Sequence, residues 1–276
     1  MFSASIYTAY SSENVQRTVH RSISYYDAAV LEKADDYQKS QCVLDIAAPK
    51  DGKDFPVLVW FHGGGLTAGT KEIPKLLLNK PVVLVGVGYR LAPKVTFPAF
   101  LEDGAAAVAW TFKNIEQYNG TPKKIFIGGC SAGGYISGML GLDPRWLKPY
   151  QIERSQIAGL CLLTGQMTTH FHVRKLLNYP QPEYLPIIDE NAPMFYLSKD
   201  APPIICTVGE KALDMPARAE ENEFMIASLR AMKHPHIEFY ENKGYNHGKM
   251  GSCPEAFEQF ARFIEKYKDG TAGTVK

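Results

Sequence analysis

Five stretches of the chain are apolar almost without interruption: FPVLVWF (55–61), PVVLVGVGY (81–89), KIFIGG (124–129), IAGLCLL (157–163) and PPIICTVG (202–209). Short apolar runs rich in β-branched residues, with no polar face, predict strands buried on both sides. HIEFYE (236–241) predicts a further strand, and RSISYYD (21–27) with CVLDIA (42–47) predicts two antiparallel leading strands. Between them the period changes. Leu101, Ala105, Val108, Phe112 and Ile115 recur at steps of three and four, one apolar stripe on a helix. Phe224, Ser228, Leu229 and Met232 sit within a second helix, and Phe257, Phe260, Ala261 and Ile264 within a third near the C-terminus. Strands alternating with helices predict an α/β fold: a mostly parallel central sheet with helices on both faces. Such sheets hold ligands at the carboxyl ends of their strands, which is where chemistry is to be sought.

Composition narrows the partners more than the fold. The 276 residues contain no repeat and no linker-like shift, so a single domain over 1–276 is expected. Hydrophobic residues make up 45% and charged residues 21%, and the net charge is +1. Nothing in that balance attracts nucleic acid or an anionic membrane, and no apolar run reaches the length of a membrane span. The sequence carries no mark of oligomeric state. The five cysteines (Cys42, Cys130, Cys161, Cys206, Cys253) are scattered and include no C-x-x-C. A reduced, cytoplasmic chain is the simpler expectation. The opening MFSASIYTAYSSENVQRTVH has no basic stretch followed by an apolar core, as a leader would. An exported chain whose leader had been removed would read the same.

Two glycine-rich turns carry the candidate chemistry. After KIFIGG, the residues Gly129-Cys130-Ser131-Ala132-Gly133 form a Gly-x-Ser-x-Gly pattern between a predicted strand and a predicted helix. A turn this sharp strains its apex and raises the serine into a cleft, at a helix N-terminus that favours developing negative charge. Ser131 is therefore the candidate nucleophile, and Cys130, one position before the apex, is read as packing. Upstream, His62-Gly63-Gly64-Gly65 follows the strand FPVLVWF directly. Consecutive glycines leave backbone N–H groups open to a ligand. Gly63 and Gly64, with the N–H of Ala132, are the candidate oxyanion donors, each such donor being worth about 10²–10³ in kcat. A phosphate loop fits poorly, since the G-K-[ST] and G-x-G-x-x-G spacings are missing. His62 is expected to brace the loop.

FHGGGL, YRLAP, FPAFLEDGAAAVAW and GGCSAGGY, in that order, resemble the α/β-hydrolase superfamily, and within it hormone-sensitive-lipase-like and bacterial acetyl esterases. The resemblance runs from about residue 55 to 265. It implies a serine, then an acid, then a histidine along the chain. It departs from those esterases at Cys130, where an acidic residue is frequent. His247, in GYNHGKM after the strand HIEFYE, is the candidate base. His170 and His172 lack a third ligand at metal-binding spacing and are read as ordinary loop histidines; His20, His234 and His236 carry no motif.

The stretch VGEKALDMPARAEEN (208–222) offers four carboxylates. Glu220 and Glu221 are expected on the solvated face of a helix starting near Pro216. Glu210 is adjacent to the strand end, too early to reach across. Related esterases place the acid three residues after the glycine, and here that position is Ala212. Asp214 remains as the acid, with Glu210 second; a helix-capping role is the alternative for Asp214. Asp103 is expected to cap or brace.

The resemblance implies a serine carboxylic-ester hydrolase that forms an acyl-enzyme and uses neither metal nor organic cofactor. Its partner would be a small-molecule ester. The segment Met167–Asp200 is long for a connection and is expected as a small lid, with Phe171, Tyr179, Tyr184, Phe195 and Tyr196 as candidate walls. With no large N-terminal cap read, short acyl groups, acetyl foremost, on a small alcohol or sugar are expected. The same motifs fit an arylformamidase or other amidase of this fold, and, from a different class, a non-catalytic binding module; a peptidase of the dipeptidyl-peptidase kind fits less well without a propeller domain.

Overall fold

In the computed structural model, which describes residues 15–270, eight strands form one sheet: β1 (Arg17–Ser24), β2 (Val43–Pro49), β3 (Phe55–Phe61), β4 (Val83–Val87), β5 (Gly120–Cys130), β6 (Ile157–Leu163), β7 (Ile204–Gly209) and β8 (Ile237–Asn242). Most of the stretch read for a leader lies outside the described residues. The spatial order is β1-β2-β4-β3-β5-β6-β7-β8. β1 and β2 pair antiparallel and β2 runs antiparallel to β4. Every later neighbour is parallel. The helices are α1 (Ala28–Lys33), α2 (Asp36–Gln41), α3 (Ala99–Asn114), α4 (Ala132–Leu142), α5 (Pro144–Leu147), α6 (Phe171–Leu176), α7 (Arg218–Ala231) and α8 (Pro254–Tyr267).

Within the apolar runs the period of two still sorts side chains into layers. In β3, Val57, Val59 and Phe61 join the core shared with α3, α4 and α7, while Leu58 and Trp60 join the core under α8. β6 divides alike, with Leu160 and Leu162 on the first side and Cys161 and Leu163 on the second. α8 seals its face with Phe257, Phe260 and Phe263, and the Trp60 ring lies 5.7 Å from that of Phe257. Each such side chain contributes about 1.5–3 kcal/mol on burial.

Several expected boundaries move. β1 begins at Arg17, and Tyr25 leaves the strand to donate its hydroxyl to Gly88 O at 2.9 Å. β4 stops at Val87, and β5 extends upstream to Gly120. α7 starts at Arg218 rather than near Pro216. Of the four residues read on that helix, Leu229 alone is buried, and Phe224 is 58% exposed; Met225 and Ile226 make the buried face. Glu221 corrects the expectation of a solvated face. Its side chain is 9% exposed, paired with the buried Arg218, whereas Glu220 is 51% exposed as expected.

Asp103 braces rather than caps. Its buried carboxylate takes a forked pair of hydrogen bonds from Arg90, another from the Arg90 N–H and a fourth from the Tyr26 hydroxyl. That ties the exit of β4 to α3.

Candidate active site

The turn from β5 into α4 has the conformation its glycines permit. Ser131 stands at φ 54°, ψ −113°, a strained position for a residue with a side chain. Its N–H donates to Leu163 O at 2.8 Å and its carbonyl accepts from Tyr135 N at 3.0 Å, which hold the strained apex in place. A Cβ on Gly129 would lie 2.4 Å from the Gly133 carbonyl carbon, and one on Gly133 would lie 2.0 Å from Phe61 O. These two positions bring β3, the turn and α4 into backbone contact.

The structure brings Ser131, His247 and Asp214 together across 116 and 33 residues of sequence. Ser131 Oγ lies 2.8 Å from His247 Nε2, and His247 Nδ1 lies 2.8 Å from Asp214 Oδ1. An ionised carboxylate only accepts, so the imidazole proton sits on Nδ1 and Nε2 is left to accept from the serine. His247 opens a short 3-10 turn (His247–Ser252) whose N-cap, Asn246, accepts from Lys249 N at 3.1 Å.

The Asp214 side chain is fully buried. Besides His247 it accepts from Gly209 N at 3.0 Å, Met215 N at 2.7 Å and Thr164 Oγ1 at 2.9 Å. Burial pushes this carboxyl up, but hydrogen bonds from His247, Met215 and Thr164 outweigh it and hold it below the ordinary range. Its bonds to Gly209 and Met215 lie within its own loop, and the N-cap position of α7 belongs to Ala217, so Asp214 does not cap that helix. Glu210 is engaged elsewhere, accepting from Gly244 N at 2.7 Å on the surface.

Thr164 escaped the sequence reading. It follows the last residue of β6 at φ 44°, and its hydroxyl also lies 3.2 Å from His247 Nδ1. The only signal was its place at the carboxyl end of a central strand. By donating to Asp214 Oδ2 it leaves Oδ1 for the imidazole. Thr164→Val is expected to lower kcat about tenfold, the worth of one charge-assisted hydrogen bond, with KM little changed in steady-state ester hydrolysis.

The His62–Gly65 loop passes over Ser131. A Cβ on Gly63 would lie 3.5 Å from Ser131 Cβ, and Gly64 and Gly65 hold φ values of 111° and 63°. Among the described residues, no loop carbonyl accepts from the N–H of Gly63, Gly64 or Ala132. That of Ala132 opens α4 directly after Ser131, at the helix end that favours negative charge. His62 stacks on Tyr89 with ring centroids 4.3 Å apart, and its Nδ1 lies 2.6 Å from Gly63 O. Burial pushes its pKa down to about 4. The unfolded chain protonates this histidine near 6.5, so folding incurs no cost from it above that pH and a growing cost as pH falls towards 4. Between pH 7 and 4.5 His62 is expected to remove on the order of 2–3 kcal/mol of stability. Urea unfolding at the two pH values checks this, since His62→Gln should lose correspondingly less than the parent chain.

Cys130 is half-buried, and burial pushes its thiol up to about 12. It stays protonated at neutral pH and carries no nucleophile. His170 caps α6, accepting from His172 N, and is buried. Among the described residues no cluster of histidine, cysteine or carboxylate side chains is arranged to hold a metal.

The segment 167–200 is anchored to α4, where Tyr135 donates to Asn191 O at 2.8 Å and Pro193 packs on Gly138. Its His172 ring lies against Gly65, where a Cβ would come within 3.2 Å. Only some of its aromatic residues face a cleft. Tyr179 donates to Asp189, Tyr196 is engaged with Arg145 and Glu190, and Phe195 is exposed. Phe171 and Tyr184 line a cleft beside the loop that carries Asp214.

Residues 44–219 match the family described as BD-FAE. An AB hydrolase superfamily protein of Schizosaccharomyces pombe is 29% identical over 222 residues, covering 70% of this chain and 63% of that protein. The carboxylic ester hydrolase LipN of Mycobacterium tuberculosis is 33% identical over 214 residues, covering 66% and 54%. The chain thus spans less than two thirds of the length of these relatives. Among solved structures, a truncated carbohydrate esterase from gut microbiota superposes with a TM-score of 0.70 at 16% identity, covering 93% of this chain and 98% of that one.

Proposed function

The chain belongs to the BD-FAE family and has the α/β-hydrolase fold, and from that premise we propose that it is a serine carboxylic-ester hydrolase acting on short acyl esters of small alcohols or sugars. The observation that carries the reading is the continuous line Ser131 Oγ–His247 Nε2 and His247 Nδ1–Asp214 Oδ1, both steps 2.8 Å.

In this mechanism Ser131 Oγ attacks the ester carbonyl as its proton passes to His247 Nε2. The oxyanion that forms is held by the N–H groups of Gly63, Gly64 and Ala132. His247 then gives the proton to the leaving alcohol, and the C–O bond breaks to leave an acyl-serine. Water enters, loses a proton to the same nitrogen, and attacks the acyl carbon; collapse releases the acid and returns the proton to Ser131. Asp214 keeps the imidazole in one tautomer and stabilises it while it is charged. Thr164 holds the carboxylate in register. The chain acts as one hydrolase domain, with 167–200 as its small cover. His172 against Gly65 restricts the space next to the oxyanion loop, which supports a short acyl group.

The test is hydrolysis of p-nitrophenyl esters from acetate to octanoate, with Ser131→Ala as the blank. Turnover should be fastest on acetate and vanish in the variant. Octanoate faster than acetate would overturn the acyl-size assignment. Turnover no better than the blank on every ester would overturn the esterase reading and favour an amide substrate such as N-formylkynurenine.

A further inference from the structure

A series of rings joins the helix that carries the nucleophile to the oxyanion loop, by way of the 167–200 segment. Tyr135 stands in the first turn of α4, and its N–H donates to Ser131 O at 3.0 Å. Its ring lies 5.2 Å from that of His170, which stacks on Phe171 at 4.5 Å, and Phe171 lies 4.4 Å from His172. The series ends on Gly65, where an added Cβ would come within 3.2 Å of His172 Cε1 and Nδ1. α6, which carries His172, has six residues, too few to hold a helix alone. Two buried side chains fasten it. His170 Nδ1 accepts from His172 N at 3.2 Å, and Arg174 donates to the carbonyls of Gln181, Pro182, Glu183 and Leu185 at 2.6–3.1 Å.

Gly65 is where the loop lacks a tie of its own. Around it, Thr67 N and Ala68 N donate to Gly64 O, Ala92 N donates to Leu66 O, and Tyr89 donates to His62 O. Gly65 itself, at φ 63°, completes no hydrogen bond among the described residues. The edge of the His172 ring bears on it instead. Nδ1 on that edge is shut from solvent and likewise completes no hydrogen bond. The Gly65 backbone still acts on the ring. Burial lowers the pKa of His172, and the Gly65 backbone opposes that fall as an accepting carbonyl would; Lys175 and Glu183 add smaller pulls, down and up. The ring is therefore neutral at pH 7. In this place it packs and orients, and brings no charge to the reaction.

We propose that His172 is a positioning residue for the hydrolysis: its ring edge fixes the Gly64–Gly65 backbone, and with it the oxyanion donors, relative to Ser131. The ring series gives both halves of the reacting centre one support, since Tyr135 is tied to Ser131 and His172 bears on Gly65. An oxyanion donor stabilises the transition state and not the bound ester, so loss of the support falls on kcat. The assignment rests on the esterase reading for its catalytic consequence, but not for the hold on the loop.

Removing one oxyanion donor costs about 10²–10³ in kcat, and displacing the loop costs part of that. His172→Ala is expected to lower kcat on p-nitrophenyl acetate about tenfold, with KM within about twofold of the parent. His172→Asn puts an amide atom at the place of Nδ1 and should recover to within about threefold of the parent. Ile188→Ala, at a residue 44% exposed in the same segment, should leave kcat within about twofold and controls for general loosening. Amide exchange read by mass spectrometry follows the loop without turnover. The N–H groups of Thr67 and Ala68, which donate to Gly64 O, should exchange about tenfold faster in His172→Ala. Faster exchange in a chain that hydrolyses no ester supports the hold on the loop and removes the esterase reading alone. If His172→Ala does not fold, His172→Leu, which keeps packing on Phe171 without a nitrogen, carries the same expectations. A loss confined to KM, an equal loss in Ile188→Ala, an asparagine variant no better than alanine, or exchange at the parent's rate overturns the inference.

Discussion

Asp214→Asn is expected to lower kcat on p-nitrophenyl acetate about 10⁴-fold and Ser131→Ala about 10⁶-fold, while Glu210→Gln stays within about threefold. The first figure corresponds to about 5.4 kcal/mol of transition-state stabilisation. Asparagine fits the space, but the site holds four donors and the amide has one oxygen. His247 Nδ1 contacts Oδ1, while Thr164 Oγ1 and Gly209 N contact Oδ2. An amide nitrogen meets a backbone N–H in either flip, Gly209 N on the Oδ2 side or Met215 N on the Oδ1 side, and the second flip turns it towards His247. The imidazole must then carry its proton on Nε2, where it can no longer accept from Ser131. Glu210, by contrast, is half-buried and bonded to Gly244 N, away from His247. Single-turnover kinetics of the three variants separates the carboxylates. Equal losses at Asp214 and Glu210 would remove Asp214 from the mechanism. Acid unfolding gives a second view. A carboxyl held below its ordinary value contributes stability that is present above about pH 4 and lost as pH falls through the lower folded value. Asp214→Asn should therefore lose less stability than the parent on acidification from pH 5 to 3.

The strands and the two glycine-rich turns were legible because they depend on local chemistry. The apolar runs required burial on both faces, and the positions of Ser131 and Gly63–Gly64 followed from where strands end. Asp214 was legible by elimination, as the residue on the β7 exit loop that was neither at the strand end nor within the helix. Glu221 was not. One position from the exposed Glu220, it looks alike in sequence; Arg218 is its neighbour three residues back on α7, but only the packing of 167–200 against that helix brings Thr168 onto it. Thr164 was hidden for a related reason. Its role depends on Asp214 arriving from 50 residues away, and no local pattern distinguishes a bracing threonine from any other strand-end threonine. The aromatic residues of 167–200 were over-read, because tyrosine composition does not reveal that Tyr179 and Tyr196 are held by Asp189 and Arg145.

Gly133→Ala is expected to destabilise the chain by about 3 kcal/mol or more and to lower ester turnover at least a hundredfold. Helix propensity alone predicts the opposite sign, since alanine in a helix gains about 1 kcal/mol over glycine. Packing overrides it. The added Cβ would lie 2.0 Å from Phe61 O and 2.7 Å from His62 O, both backbone atoms at the carboxyl end of β3. Neither can rotate away, so α4 must move off the sheet. That movement carries Ser131 away from His247 and opens the oxyanion loop that begins at His62. Gly141→Ala, on the same helix, is the control. Its Cβ meets Leu160 Cδ2 at 2.3 Å, but that is the end of a flexible side chain. Overpacking against a side chain that can change rotamer costs about 1–3 kcal/mol, and the helix-propensity gain of about 1 kcal/mol leaves a net loss of about 0–2 kcal/mol. Urea unfolding and p-nitrophenyl acetate turnover, measured on both variants, compare the two directly. Equal losses would mean that α4 slides freely on β3 and that the close backbone approach at Gly133 is not what fixes the serine.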